Sequence, residues 1–176
     1  MTRQPFSDTD RQMMTRALTL ARQALAAGEF PVGCVIAAGD TVVAKGHRTG
    51  TSTGQGNEID HAEINAIRQL NRSHPGLDRS TLAIYCTMEP CLMCFSAILL
   101  SGIPRIVYAY EDVMGGGTGC DRSRLAPLYR DARLRVTPGV FRGQSLALFH
   151  RFFADSGNAY WADSLLCRYT LDQLPE

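Results

Sequence analysis

Lysine is almost missing from this sequence. Of its 18 basic residues, seventeen are arginine and one is Lys45; 17 acidic residues oppose them, so the formal net charge is only +1. So even a balance sets up no field strong enough to gather nucleic acid or an anionic membrane, and the arginine bias by itself names no partner. Long apolar runs are missing too. None reaches the eighteen or so residues that a bilayer span requires, so no membrane partner is expected. The segment Met1–Arg11 is polar and lacks the apolar stretch of a secretion signal, and the expectation is a cytoplasmic protein. In a reducing compartment the six cysteines read as thiols or metal ligands rather than three disulfides. Internal repeats, linkers and low-complexity runs are absent as well. What remains, 176 residues with 45% hydrophobic and 20% charged content, suits a single domain with a sizeable core.

Turn residues and periodicity divide the chain into alternating elements. A helix is expected from about Asp8 to Ala27, capped by Ser7 or Asp8 and stopped by Gly28. Two strands follow, Pro31–Ala38 and Thr41–Gly46, joined through Gly39-Asp40. A polar loop, Thr49–Asp60, leads into a helix over His61–Arg72. A strand over Thr81–Thr87 feeds a helix over Cys91–Ser101, and Gly102 and Pro104 break the chain before a strand at Arg105–Tyr110. Gly115–Gly119 reads as a flexible loop. Beyond it come a short helix near Leu125–Arg130, a strand at Leu134–Thr137, a helix over Leu146–Ala154 and a last helical piece over Tyr160–Tyr169. Strands alternating with helices imply helices on both faces of a mixed sheet.

Two segments carry chemistry: His61-Ala62-Glu63, and Glu89-Pro90-Cys91-Leu92-Met93-Cys94. Each falls where a loop opens into a helix, and the N-terminal end of a helix favours thiolates. Pro90 suits such a start. One helical turn separates Cys91 from Cys94, so both sulfurs can grip one ion. One imidazole with two thiolates is a ligand set of catalytic zinc, which keeps its fourth position for water. Glu63, offset around the helix from His61, can reach that water without binding the metal and can move its proton. The combination is the known signature of zinc deaminases. Two other readings fit Cys91 and Cys94 alone: a dithiol redox pair, or a structural zinc site closed by His47, His74 or His150. The upstream His-x-Glu weighs against both. Cys34 and Cys86 fall in strands and read as small core residues.

These residues resemble the cytidine deaminase superfamily, in the branch that contains tRNA adenosine deaminases, guanine deaminases and yeast-type cytosine deaminase. The resemblance runs from Pro31-Val32-Gly33 to Tyr110 and more loosely to Phe153, and Met88-Glu89-Pro90-Cys91-Leu92-Met93-Cys94 narrows it to this branch. It implies a three-layer α/β/α sandwich with a five-stranded mixed sheet. It also implies one zinc ion per chain on His61, Cys91 and Cys94, Glu63 as proton shuttle, and a homodimer. One departure stands out: Arg48 occupies the place where such proteins usually carry a base-binding Asn. Asn57, in the longer loop, is a substitute to test. The candidate substrate-binding residues are Arg48, Ala62, Phe30 and Trp161.

The substrate is read from charge. A tRNA-binding enzyme needs basic residues to meet phosphates, yet Phe152–Glu176 carries only Arg168 against Asp155, Asp163, Asp172 and Glu176. The same tail holds Phe152-Phe153 and Tyr160-Trp161, and residues 157–176 are expected to cap the pocket with an aromatic face that stacks on a flat ring and excludes water. The expected reaction is hydrolytic deamination of an amino-substituted base, nucleoside or related small heterocycle, of guanine or cytosine type. A wobble-position tRNA adenosine deaminase is the alternative.

Overall fold

The computed structural model describes residues 6–52 and 56–174. Residues 1–5, 53–55, 175 and 176, at the two ends of the chain and within the polar loop, lie outside the described residues.

Helix α1 spans Asp8–Ala26, with the Ser7 side chain accepting from the Asp10 amide at its start and Gly28 at φ +76° beyond its end. The strands are β1 (Gly33–Ala38), β2 (Thr41–His47), β3 (Leu82–Met88), β4 (Arg105–Tyr110) and β5 (Arg135–Thr137), in sheet order β2-β1-β3-β4-β5. β1 runs antiparallel to both β2 and β3, whereas β3, β4 and β5 are parallel. The five-stranded mixed sheet of a three-layer α/β/α sandwich is therefore present.

Period-two alternation explains the layers, because successive strand side chains point to opposite faces. Cys34, Ile36, Ile84, Cys86, Ile106 and Tyr108 belong to one buried cluster with α2 (Ala62–Ser73) and α3 (Leu92–Leu100). Val35, Ala37, Ala83, Tyr85, Val107 and Ala109 belong to the other, beneath α1. Cys34 and Cys86 are fully buried cross-strand partners, as small core residues should be. Two glycines allow close helix approach: a Cβ on Gly33 would stand 2.2 Å from the Ala17 carbonyl of α1, and one on Gly46 would stand 2.2 Å from the Ala62 carbonyl of α2. Gly46 thus brings the start of α2 directly against β2.

Helix α4 is a single turn, Pro127–Arg130. Helix α5 covers Arg142–Ala154, four residues earlier than its apolar run announces, because Phe141 takes a left-handed conformation (φ 56°) and turns the chain into the helix. The expected helix over Tyr160–Tyr169 is corrected more strongly. Tyr160–Asp163 form turns, with Trp161 at φ 57°, and α6 begins at Leu165 after the Ser164 cap and ends at Leu171. No helix among the described residues is long and apolar enough to cross a membrane.

Strand direction decides where a site can form. The start of β1 and the ends of β2, β3 and β4 all lie at one edge of the sheet, the carboxyl edge where open α/β sheets bind ligands. There Glu29 fastens the loop after β2. Its carboxylate accepts from the Thr51 amide at 2.6 Å, the Thr51 hydroxyl, the Ser52 amide at 3.2 Å and the Ser52 hydroxyl at 2.7 Å. Burial would raise this carboxyl, but the hydrogen bonds from Thr51 and Ser52 win and hold it down at about 2.

Glu29→Gln should therefore cost about 2 kcal/mol at neutral pH, the scale of hydrogen bonds to a charged group. Because the folded pKa lies below the unfolded value of about 4.3, this contribution is complete above that value and is lost as pH falls through about 2. Urea unfolding of both proteins at pH 7 and pH 3 checks it; a gap that does not shrink in acid contradicts the assignment.

Candidate metal centre and pocket

His61 and Cys91 are the residues preceding the first turns of α2 and α3, and both have extended backbones (ψ 155° and 169°). The His61 side chain makes no bond to its own helix, and both side chains point into the space between the two helix starts. His61 Nδ1 lies 3.5 Å from Cys91 Sγ and 3.5 Å from Cys94 Sγ. The three donor atoms all fall within 4.8 Å of one another, and among the described residues no fourth histidine, cysteine or carboxylate joins the group.

That geometry suits zinc. Tetrahedral bonds of about 2.3 Å to sulfur and 2.0–2.1 Å to nitrogen hold such ligands about 3.5 Å apart. Electrostatics agrees. Hydrogen bonding from the Cys94 thiol, with His61 adding, holds Cys91 down at about 4, while the same pairing and burial push Cys94 up. Burial alone would lower His61, but the hydrogen bond with Cys91 and the charges of Glu63 and Cys91 raise it. Once a dication displaces their protons, the two sulfurs and the carboxylate become anions that its charge balances. Glu63 is 3% exposed, with Oε2 3.5 Å from Cys94 Sγ, and burial pushes its carboxyl upward.

The centre opens into a pocket of about 160 Å³, room for far more than a water molecule. Its apolar walls are Phe30, Val32, Met88 and Met114, with Tyr160, Trp161 and Leu166 from the C-terminal segment. Phe30 packs edge-on against Phe149, Phe152, Phe153 and Tyr160, at centroid distances of 5.1 to 5.9 Å. Phe152 and Phe153 therefore belong to the core behind the pocket, and Tyr160 and Trp161 form its rim.

All four candidate substrate contacts line this pocket. Ala62 is fully buried beside His61, and Trp161 is 42% exposed. Arg48 is 2% exposed, not a solvated loop charge. Its Nη2 donates to Glu58 Oε2 at 3.2 Å and to the Tyr160 hydroxyl at 3.5 Å, and its Nη1 donates to the Thr49 carbonyl at 3.2 Å. Tyr160 in turn donates to Glu58 at 2.9 Å. Asn57 turns the loop, donating to Asp60 at 2.6 Å and accepting from the Ile59 and Asp60 amides, and it does not line the pocket.

Sequence reasoning missed Glu58, which lies ten residues beyond Arg48 with no spacing to mark it, and it gave no role to Glu89 or Asp112. The Glu89 carboxylate accepts from the Asp112 amide at 3.2 Å, the Thr118 amide at 3.2 Å and the Thr118 hydroxyl. It clamps the glycine loop, which is not free as expected. The Leu92 amide donates to the Gly115 carbonyl at 3.2 Å and the Gly117 amide to the Pro90 carbonyl at 2.9 Å. A Cβ on Gly116 would meet the Glu89 carboxylate at 2.6 Å, so the residue must be glycine.

A mixed sheet with His-x-Glu and Cys-x-x-Cys meeting at two helix starts defines the class of zinc-dependent hydrolytic deaminases. The chain belongs to the family described as the cytidine and deoxycytidylate deaminase zinc-binding region, whose model matches residues 7–110. It is 34% identical over 147 residues to the tRNA-specific adenosine deaminase of Haemophilus influenzae, covering 84% of both chains. A solved structure from work on A-to-I editing by tRNA:A34 deaminases matches with a TM-score of 0.61 and 26% identity, over 77% of this chain and 97% of that one. The guanine deaminase from Nitrosomonas europaea matches with a TM-score of 0.65 over 85% and 86%, at 21% identity, a likeness of fold. The protein is thus a zinc-dependent deaminase, an enzyme that cleaves C–N bonds by hydrolysis.

Elemental analysis should find one zinc ion per chain, and Cys91→Ala or Cys94→Ala should lose most of it. Full zinc content with both cysteines replaced would overturn the ligand set.

Proposed function

We propose that the protein deaminates a small amino-substituted heterocycle, a free base, nucleoside or related ring, and that His61, Cys91, Cys94 and Glu63 carry the reaction. The observation behind the substrate class is the pocket itself. One guanidinium, Arg48, faces the carboxylates of Glu58, Glu63, Glu89 and Asp112, and Tyr160 and Trp161 lie across the rim. Such a surface repels phosphates and accepts a neutral flat ring between apolar walls. Zinc supplies the acidification of a water molecule to a pKa near 7. Glu63 would carry the two protons of that water in turn, the first to the ring nitrogen and the second to the departing amine, so that C–NH2 and water become C=O and ammonia. Phe30, Val32 and Trp161 hold the ring, and Ala62, with only a methyl group, lets it approach Glu63. Residues 157–176 act as the cap of this one domain. Exposed Leu92 and Leu100 on α3 and Leu128 on α4 favour a homodimer through that side.

A second reading has its own support: the Haemophilus influenzae relative carries the name of a tRNA-specific adenosine deaminase. In that case the substrate is a tRNA adenosine and the tail moves aside. Ammonia release from guanine, cytosine, adenine, their nucleosides, pterins, triazines and tRNA separates the two. Turnover of tRNA alone would overturn the small-heterocycle reading.

Glu63→Gln should keep zinc and fold while losing activity by roughly a hundredfold to ten-thousandfold, the range of general acid–base catalysis. Near-normal turnover would show that another group moves the proton. The cap has its own test. Trp161→Ala should raise KM for the best ring substrate by about tenfold, since an aromatic stacking contact contributes about 0.5–1.5 kcal/mol beyond its burial. Unchanged kinetics would reduce Trp161 to a surface residue.

A further inference from the structure

Arg48 and Glu58 stand side by side in the pocket with hydrogen-bonding capacity left over. A guanidinium has five N–H donors and no acceptor, and a carboxylate has two accepting oxygens. Among the described residues, Arg48 directs Nη1 to the Thr49 carbonyl and Nη2 to Glu58 and Tyr160, and its Nε has no partner. Glu58 receives both of its bonds on Oε2, and its Oε1 has none. The two groups are 3.2 Å apart, with Arg48 buried at 2% exposure and the Glu58 side chain 50% exposed.

A donor held beside an acceptor is complementary to an acceptor beside a donor. In a heterocycle that pattern is the lactam edge, a ring C=O next to a ring N–H. We infer that Arg48 and Glu58 act together as the specificity reader of the deaminase, Arg48 donating to the ring carbonyl and Glu58 accepting from the neighbouring ring N–H. Tyr160 is a positioning residue: its hydroxyl donates to Glu58 at 2.9 Å and its ring leans on Phe30 at 5.4 Å, so it fixes Glu58 relative to the pocket wall. The inference rests on the small-heterocycle reading and narrows it to rings that carry both an exocyclic amine and a lactam.

Adenine has the amine without the lactam. Its ring nitrogens accept, so Glu58 would face a lone pair. A lactam substituted on nitrogen keeps the carbonyl for Arg48 but presents carbon to Glu58. A ring seated against Glu58 strips water from its carboxylate, so a ligand without the N–H leaves that oxygen desolvated and unpaired, and the pocket discriminates against it.

The test uses the zinc-loaded enzyme and two matched series: guanine, 1-methylguanine and 2-aminopurine; cytosine, 1-methylcytosine and cytidine. The wild type should favour the parent in at least one series by about a hundredfold or more in kcat/KM over its N-substituted partner, below the ceiling seen for sites that hydrogen-bond their substrate. Glu58→Ala, on an exposed side chain, should keep fold and zinc while the N-methyl discrimination falls to within a few-fold. Arg48→Lys keeps the charge and loses the fork. It should raise KM for the lactam parent much more than kcat changes, and by a clearly larger factor than it raises KM for 2-aminopurine. Wild-type turnover of the N-methyl bases at the parent rate, or full discrimination surviving in Glu58→Ala, would overturn the lactam reader while leaving a small-heterocycle deaminase in place. Activity on tRNA adenosine with none on any free ring would overturn both.

Discussion

Four groups that repel or desolvate one another must occupy one small volume: the His61 imidazole, the Cys91 and Cys94 sulfurs, and the Glu63 carboxylate, with Glu63 only 3% exposed. An isolated buried carboxylate is strongly unfavourable, and a second anion beside it makes matters worse. A dication turns this conflict into mutual attraction, and metal affinity then becomes part of folding stability. The sheet serves this convergence. β2 and β3 deliver their chains to the same edge, Gly46 admits the start of α2, and the ligands sit just before or within first helical turns, where backbone N–H groups favour negative charge.

The pocket around the centre is made largely of loops, and two carboxylates, Glu29 buried and Glu89 half-buried, hold those loops in place. Glu29 ties Thr51 and Ser52 below Phe30, and Glu89 ties Asp112 and Thr118 beside Cys91. Each carboxylate is matched by amides and hydroxyls rather than by a cation. Such a satisfied polar network fixes a loop more sharply than apolar contact would, because every alternative position leaves a buried charge without partners. Arg48 is treated differently: its one anionic partner among the described residues, Glu58, is half-exposed and reaches it from the same loop. The rigid loop ends thus present one adjustable ion pair to the pocket.

Much of this was legible in sequence, for identifiable reasons. The period-two strands and the caps at Ser7 and Gly28 depend on neighbouring residues, so the five strands, α1, α2 and α3 could be read directly. His61, Glu63, Cys91 and Cys94 follow a spacing imposed by helix geometry and metal chemistry, and the structure brings them together. The failures lie where distant contacts decide. Tyr160–Asp163 have the composition of a helix, yet the Asn158 side chain accepts from the Tyr160 amide at 2.9 Å and Trp161 turns left-handed, which delays α6 to Leu165. The glycine run after β4 looks unconstrained until Glu89 and the start of α3 are placed against it. Arg48 was visible as a departure from the family pattern, but its partners lie 10 and 112 residues away, and no local pattern encodes either.

The metal-centre residues and the aromatic rim of the pocket come from different parts of the chain. The family match ends at residue 110 and holds His61, Glu63, Cys91 and Cys94, together with Arg48 and Glu58. Asp112, Met114 and Gly115 follow just beyond it, and Tyr160, Trp161 and Leu166 come from the far end of the chain. The matched segment therefore bears on the metal centre, whereas most of the rim lies outside it. At physiological ionic strength charges are screened beyond about 8 Å, so the even overall charge of the molecule matters less to an incoming ligand than the few groups at this rim. Those groups are mostly carboxylates, and the single guanidinium among them already has an anionic neighbour. A neutral ring enters such a pocket without charge repulsion and gains the apolar walls. A phosphate-bearing strand would have to bring its own cations or find arginines elsewhere on the surface.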